Sequence, residues 1–227
     1  MRRPAIAVLL VLVLASPVVL GAPPPARAAD GCTPIEDLAK AKVGEFPAGW
    51  KPRKDAGRSV YSVVEERGLR FLRAVSKGLG IQAAREVEGW DLATHPVLAW
   101  SWRPVEFPKG ADERESSTND SVLAVYMLVP YSRIAGPKAV KYVWSEKVPV
   151  GTRLTSNAGL TQVRVLESGT AGRGEWRQGT VNALEDYRAL FETKDTPKPA
   201  GIAVLTDSDD TKSSAAGDYA DFRVCRR

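Results

Sequence analysis

Ser59-Val60-Tyr61-Ser62-Val63-Val64, then Glu66-Arg67-Gly68, then Leu69-Arg70-Phe71-Leu72-Arg73-Ala74-Val75: this stretch decides the fold class. The first run is rich in β-branched and aromatic residues, the tripeptide is a turn, and the second run is a further β-type segment. In an extended chain Leu69, Phe71, Arg73 and Val75 share one face, and Arg70, Leu72 and Ala74 share the other. Outward from this hairpin the same pattern repeats. Gly78 and Gly80 mark the next turn, and strands are expected at Ile81 to Val87, Val97 to Arg103, Val122 to Val129 and Ala139 to Trp144. More follow at Gln162 to Glu167, Glu175 to Gln178, Ile202 to Thr206 and Asp221 to Cys225. The nearly continuous apolar run Val122 to Val129, ending at Pro130, reads as a central strand covered on both faces. Helical signals are few. Ile35 to Lys42 could form a short helix, and Asn182 to Glu185 has capping-box spacing ahead of Leu184, Tyr187, Leu190 and Phe191. Pro104 to Asp120 reads as a mobile surface loop, and Thr193 to Gly201 as a connector. About ten short strands and one or two short helices describe an all-β protein, a β-sandwich of jelly-roll type.

The chain ends agree with that architecture. Arg2 and Arg3 precede an apolar run from Ala5 to Leu20, and Ala26 and Ala28 give a small-x-small pattern. That is the layout of a secretory signal over residues 1–28, leaving residues 29–227 as a single β-sandwich domain with its core at about 50–225. The apolar run is too short for a spanning helix, so no stable membrane span is expected after cleavage. The protein is therefore expected to be exported, periplasmic or extracellular. Cys32 and Cys225, the two cysteines, frame the mature chain, and an oxidising compartment would pair them. The full chain has 32 basic and 27 acidic residues; losing Arg2, Arg3 and Arg27 leaves 29 against 27. With so small an excess and no basic stripe, nucleic acid is not an expected partner. Oligomeric state is not written in the pattern.

Absences sort the chemistry. The single histidine, His95, cannot build a multi-histidine metal site, and no Gly-x-Ser-x-Gly elbow or Ser-x-x-Lys pair is present. No catalytic residue is assigned. Gly78-Leu79-Gly80-Ile81-Gln82-Ala83 matches a loose nucleotide fingerprint but reads as a strand-to-strand turn. The acidic stretch Thr206-Asp207-Ser208-Asp209-Asp210-Thr211 offers hard oxygen ligands of the kind calcium takes, with Asp207, Asp209 and Asp210 as candidate metal ligands. The same stretch also suits a solvated loop whose aspartates cap backbone amides. Among the six tryptophans, Trp100 and Trp102 share a strand face, as do Tyr142 and Trp144. Flat aromatic faces stack on sugar rings, but large aromatics at period two also make plain core. Arg103, opposite Trp102, could pair with an acid or grip a ligand. Arg103, Asp120, Tyr142, Trp144, Asp207 and Asp209 are the candidate ligand-binding residues.

A set of short motifs in order carries a resemblance: Leu98-Ala99-Trp100-Ser101-Trp102-Arg103, Asn119-Asp120-Ser121, Lys141-Tyr142-Val143-Trp144, Glu185-Asp186-Tyr187 with Phe191, Thr206 to Thr211, and Tyr219-Ala220-Asp221-Phe222. Together they resemble DUF3047, a family of exported bacterial proteins with no assigned activity, from about Trp50 to Phe222. The resemblance implies a sandwich similar to galactose-binding-like and carbohydrate-binding modules. It brings no catalytic residues. At the position of Asp210 the family pattern has asparagine, so this chain carries an added charge that favours a cation.

The resulting expectation is an exported, non-catalytic module that binds carbohydrate or cell-envelope glycan. Two alternatives stand beside it: a structural or partner-binding envelope protein, and a carboxylate-dependent glycoside hydrolase. The hydrolase would need two carboxylates facing one pocket, one of them with a raised pKa.

Overall fold

A computed structural model describes residues 31–227; the signal segment expected over residues 1–28 lies outside the described residues. Two sheets face each other. Strands β1 (Cys32–Pro34), β2 (Trp50–Pro52), β3 (Tyr61–Glu66), β4 (Leu69–Lys77) and β5 (Ala83–Glu86) come first. β6 (Val97–Glu106), β7 (Leu123–Ser132), β8 (Gly136–Ser145), β9 (Arg153–Ser156) and β10 (Thr161–Ser168) follow. β11 (Arg177–Asn182), α1 (Ala183–Leu190), β12 (Gly201–Leu205) and β13 (Ser214–Cys225) complete the chain. One sheet has the order β11-β6-β13-β4-β3, with β1 beside the last residues of β13; the other has the order β2-β5-β12-β7-β8-β10-β9. The chain passes back and forth between the sheets, and neighbours such as β4 and β13, or β5 and β12, are far apart in sequence. This is a sandwich of jelly-roll type. Every pairing is antiparallel except β8 with β10.

The hairpin read first from the sequence is present. Arg67 (φ 50°) and Gly68 (φ 79°) turn β3 into β4. Two consecutive positive φ values suit a two-residue hairpin whose twist matches its strands. Leu72 and Ala74 enter the core, while Phe71 and Arg73 face outward. The main core lies between the sheets and gathers Tyr61, Leu72, Trp100, Trp102, Val125, Tyr142, Trp144 and Tyr219. β7 is central, between β12 and β8, and is buried on both faces: Ala124 and Tyr126 belong to a second apolar cluster on the outer side.

Two expectations need correction. The helix expected over Ile35 to Lys42 is only a single 3-10 turn, Leu38–Lys40. Pro104 to Asp120 is not a free surface loop. β6 extends to Glu106, a 3-10 turn occupies Ser116–Thr118, and Ala111 and Glu113 are buried. Glu113 anchors it by accepting hydrogen bonds from Ser121 Oγ (2.9 Å) and Ser145 Oγ (2.5 Å). α1 opens as expected, with Asn182 Oδ1 accepting from the Glu185 amide at 3.0 Å. Cys32 and Cys225 are register partners of β1 and β13 and are joined as a disulfide.

Candidate functional site

The side chains singled out from the sequence fall in three separate places. Tyr142 and Trp144 project from β8 into the core and are 0% and 2% exposed. Their expected role as sugar platforms is thereby corrected: Trp144 packs on Trp102 with centroids 5.9 Å apart and donates from Nε1 to the Gly169 carbonyl, and Tyr142 packs on Trp100 at 5.7 Å. Large rings at period two found the inter-sheet space, where burial gains most.

Asp120, Asp207, Asp209 and Asp210 do converge, at the end where β12 leaves its sheet and β7 enters it. Asp120 is fully buried and builds the turn: its Oδ1 accepts from the Asp210 amide at 3.3 Å, and its Oδ2 from the Thr211 amide and Oγ1 at 2.8 and 2.6 Å. Asp207 is buried with its Oδ1 unpaired. Burial first, then its neighbours Asp209 and Asp120, push its carboxyl up to about 8, against the pull of Lys141. Lys141 is itself buried on β8. Burial alone would push its ammonium down; Tyr126, Asp207 and Glu113 hold it up. Sequence reasoning missed this lysine, although its alternation with Val140 and Tyr142 places it on the outer face.

Arg103 stands on the other sheet, at the centre of a different constellation. The register puts Arg73 of β4, Asp218 of β13 and Arg103 of β6 directly opposite one another across three neighbouring strands. Asp218 is fully buried. Its Oδ1 accepts from Arg73 Nε at 2.8 Å, and its Oδ2 from Arg73 Nη2 at 3.0 Å and Arg103 Nε at 2.7 Å. Glu66, at the end of β3, closes the row by accepting from Arg73 Nη2 at 3.1 Å and Arg103 Nη2 at 2.9 Å. The hydrogen bond from Arg103 holds the Glu66 carboxyl below its ordinary range. Phe71 lies beneath, with the Arg73 and Arg103 guanidiniums 5.3 and 5.1 Å from its ring centre. Trp176, half-buried just before β11, has Arg103 4.8 Å from its ring centre and meets Phe71 edge-on. Nη1 of each arginine makes no hydrogen bond among the described residues. The alternation of Phe71 and Arg73 with Leu72 signalled part of this face. Asp218 gave no such signal, because the expected last strand began three residues after it.

Two cavities lie elsewhere. One of about 330 Å³ is lined by Thr33, Ile35, Glu36, Arg85, Trp90 and His95 among others, and a smaller one by Leu92, Pro96 and Arg188. Neither includes any of the four aspartates; the larger is lined instead by Glu36, Glu86 and Glu88, and burial raises the Glu36 carboxyl above its ordinary range. Among the described residues no helix is long and apolar enough to cross a membrane.

The fold defines a two-sheet β-sandwich with one outer face polar and aromatic. The family model described as "Protein of unknown function (DUF3047)" matches residues 48–223, and the chain belongs to that family. No curated protein matches it. Among solved structures, the family 11 carbohydrate-binding module of a cellulosomal cellulase of Clostridium thermocellum aligns with a TM-score of 0.46 at 10% identity, covering 88% of this chain and 96% of that one. Endoglucanase 3 of Trichoderma harzianum, from family GH12, aligns with a TM-score of 0.42 at 11% identity, covering 89% and 100%. A non-crystalline cellulose specific module, CBM28, aligns with a TM-score of 0.39 at 9% identity, covering 84% and 96%.

Proposed function

We propose that this chain is an exported, non-catalytic module that binds carbohydrate or cell-envelope glycan on the outer face of the six-stranded sheet. One observation carries the reading. Arg73, Asp218, Arg103 and Glu66 form a fixed polar row beside the half-buried Trp176. A sugar ring needs an apolar plate for its C–H surface and directed donors and acceptors for its hydroxyls. Trp176 supplies the plate. Free Nη1 donors and the Glu66 carboxylate supply the polar groups, already held in place so that little side-chain entropy is lost on binding. Export agrees with the Cys32–Cys225 disulfide, which belongs to an oxidising compartment.

The test is a glycan array followed by titration of any hit with the purified mature chain. Binding should fall at least tenfold in Trp176→Ala and in Arg103→Gln, with unchanged thermal melting in the tryptophan variant. A hit bound equally well by both variants would move the site off this face. Silence across polysaccharides and envelope glycans would remove the reading itself.

A further inference from the structure

We propose that Asp120, Asp209 and Asp210, with Asp207 beside them, form a binding site for a divalent cation of calcium's class. Asp120, Asp209 and Asp210 each offer a carboxylate oxygen, and these oxygens all lie within 4.8 Å of one another. Calcium takes oxygen ligands at about 2.3–2.6 Å, so two of its ligands lie no more than about 5 Å apart. The spread fits one coordination sphere.

Acidic turns are common, and the decisive observation is a fourth carboxylate that the turn itself does not need. Asp207 is 8% exposed, and its Oδ1 has no hydrogen-bond partner. Its carboxyl meets that of Asp209 at the edge of the trio. A Cβ placed on Gly80 would sit 2.6 Å from Asp207 Oδ1 and 2.5 Å from Asp209 Oδ1, so these two oxygens converge over the same glycine. No side chain other than hydrogen could occupy position 80 without pushing them apart. A buried carboxylate oxygen with no donor is costly. Lys141 supplies one positive charge nearby, against four carboxylates.

The backbone is arranged to suit. Asp120 receives the amides of Asp210 and Thr211, which folds the turn back and sets Asp209 and Asp210 on the solvent side of the cluster. Two oxygens come from buried, fixed residues and two from exposed ones. That gives a cation an entry side, with water completing the shell there. All-oxygen donors without histidine or cysteine select a hard ion, and an irregular turn suits calcium's flexible geometry better than magnesium's strict octahedron. The site is independent of the glycan face on the other sheet.

The test uses the mature chain stripped with chelator and dialysed, titrated with calcium chloride alone. Calorimetry should show one saturable site with Kd of about 10⁻⁴–10⁻³ M, the range of extracellular calcium modules, and the melting temperature should rise by about 5 °C at saturation. Asp209→Asn/Asp210→Asn alters exposed side chains, so it should fold normally and lose both responses. Asp207→Asn should weaken binding at least tenfold. Equal magnesium response would mean a nonselective acidic surface and overturn the assignment. So would full calcium affinity in Asp207→Asn, or no heat and no shift at 10 mM calcium.

Discussion

Asp218 shows how one buried charge organises a face. A carboxylate with no exposed surface on an outward-facing position is stable only because Arg73 and Arg103 approach it from both neighbouring strands. Removing it leaves two guanidiniums crowded over Phe71 with only the half-exposed Glu66 to balance them. Asp218→Ala should therefore cost about 2–4 kcal/mol in urea unfolding, and Asp218→Asn less, since the amide still accepts. Asp207 is the opposite case, a buried carboxylate whose charge is poorly met. Its carboxyl is raised to about 8, so between the ordinary carboxylate range and that value the folded chain holds a proton that the unfolded chain has released. Stability of the metal-free protein should fall as pH rises through that window. Asp207→Asn should flatten the slope. A wild-type unfolding free energy in chelator that is equal at pH 5 and pH 8 would contradict this account.

At the level of elements, the Pro104 to Asp120 segment shows what sequence composition hides. Its charges read as solvated, yet Glu113 is the peg that ties it to Ser121 and to Ser145 at the end of β8. Glu113→Ala should cost about 1–3 kcal/mol, because two buried hydroxyls lose their acceptor, and should expose a cleavage site near Arg114 to trypsin under native conditions. Unchanged digestion would mean that the segment holds without its peg. The long strands were legible because alternation over six or more residues has one reading. β1, β2 and β9 span only three or four residues each and have no period to show. The four-aspartate cluster was partly legible, since three members are adjacent in sequence. Of the arginine row, Arg73 and Arg103 were legible singly but their meeting at Asp218 was not. It exists only because β13 lies between β4 and β6, and pairings between segments more than a hundred residues apart leave no local mark.

For the whole molecule, the disulfide closes a span of 193 residues between the first and last strands. A loop of that length removes much conformational freedom from the unfolded chain, worth at most about 5 kcal/mol. In the folded chain the bond has a narrower role. β1 is three residues long and pairs only with the end of β13, so the disulfide holds the segment that walls the larger cavity beside Trp90 and His95. The two effects separate experimentally. Cys32→Ser/Cys225→Ser should lose about 2–5 kcal/mol in denaturant unfolding, with native-state amide exchange rising around Thr33 and Ile35 and little elsewhere. Neither the arginine row nor the aspartate cluster touches β1, so glycan and calcium affinity at 25 °C should match the oxidised protein. Loss of either in a variant that still melts cooperatively would mean that the sheets themselves shift when the ends come apart, and that the tie sets the geometry of both faces.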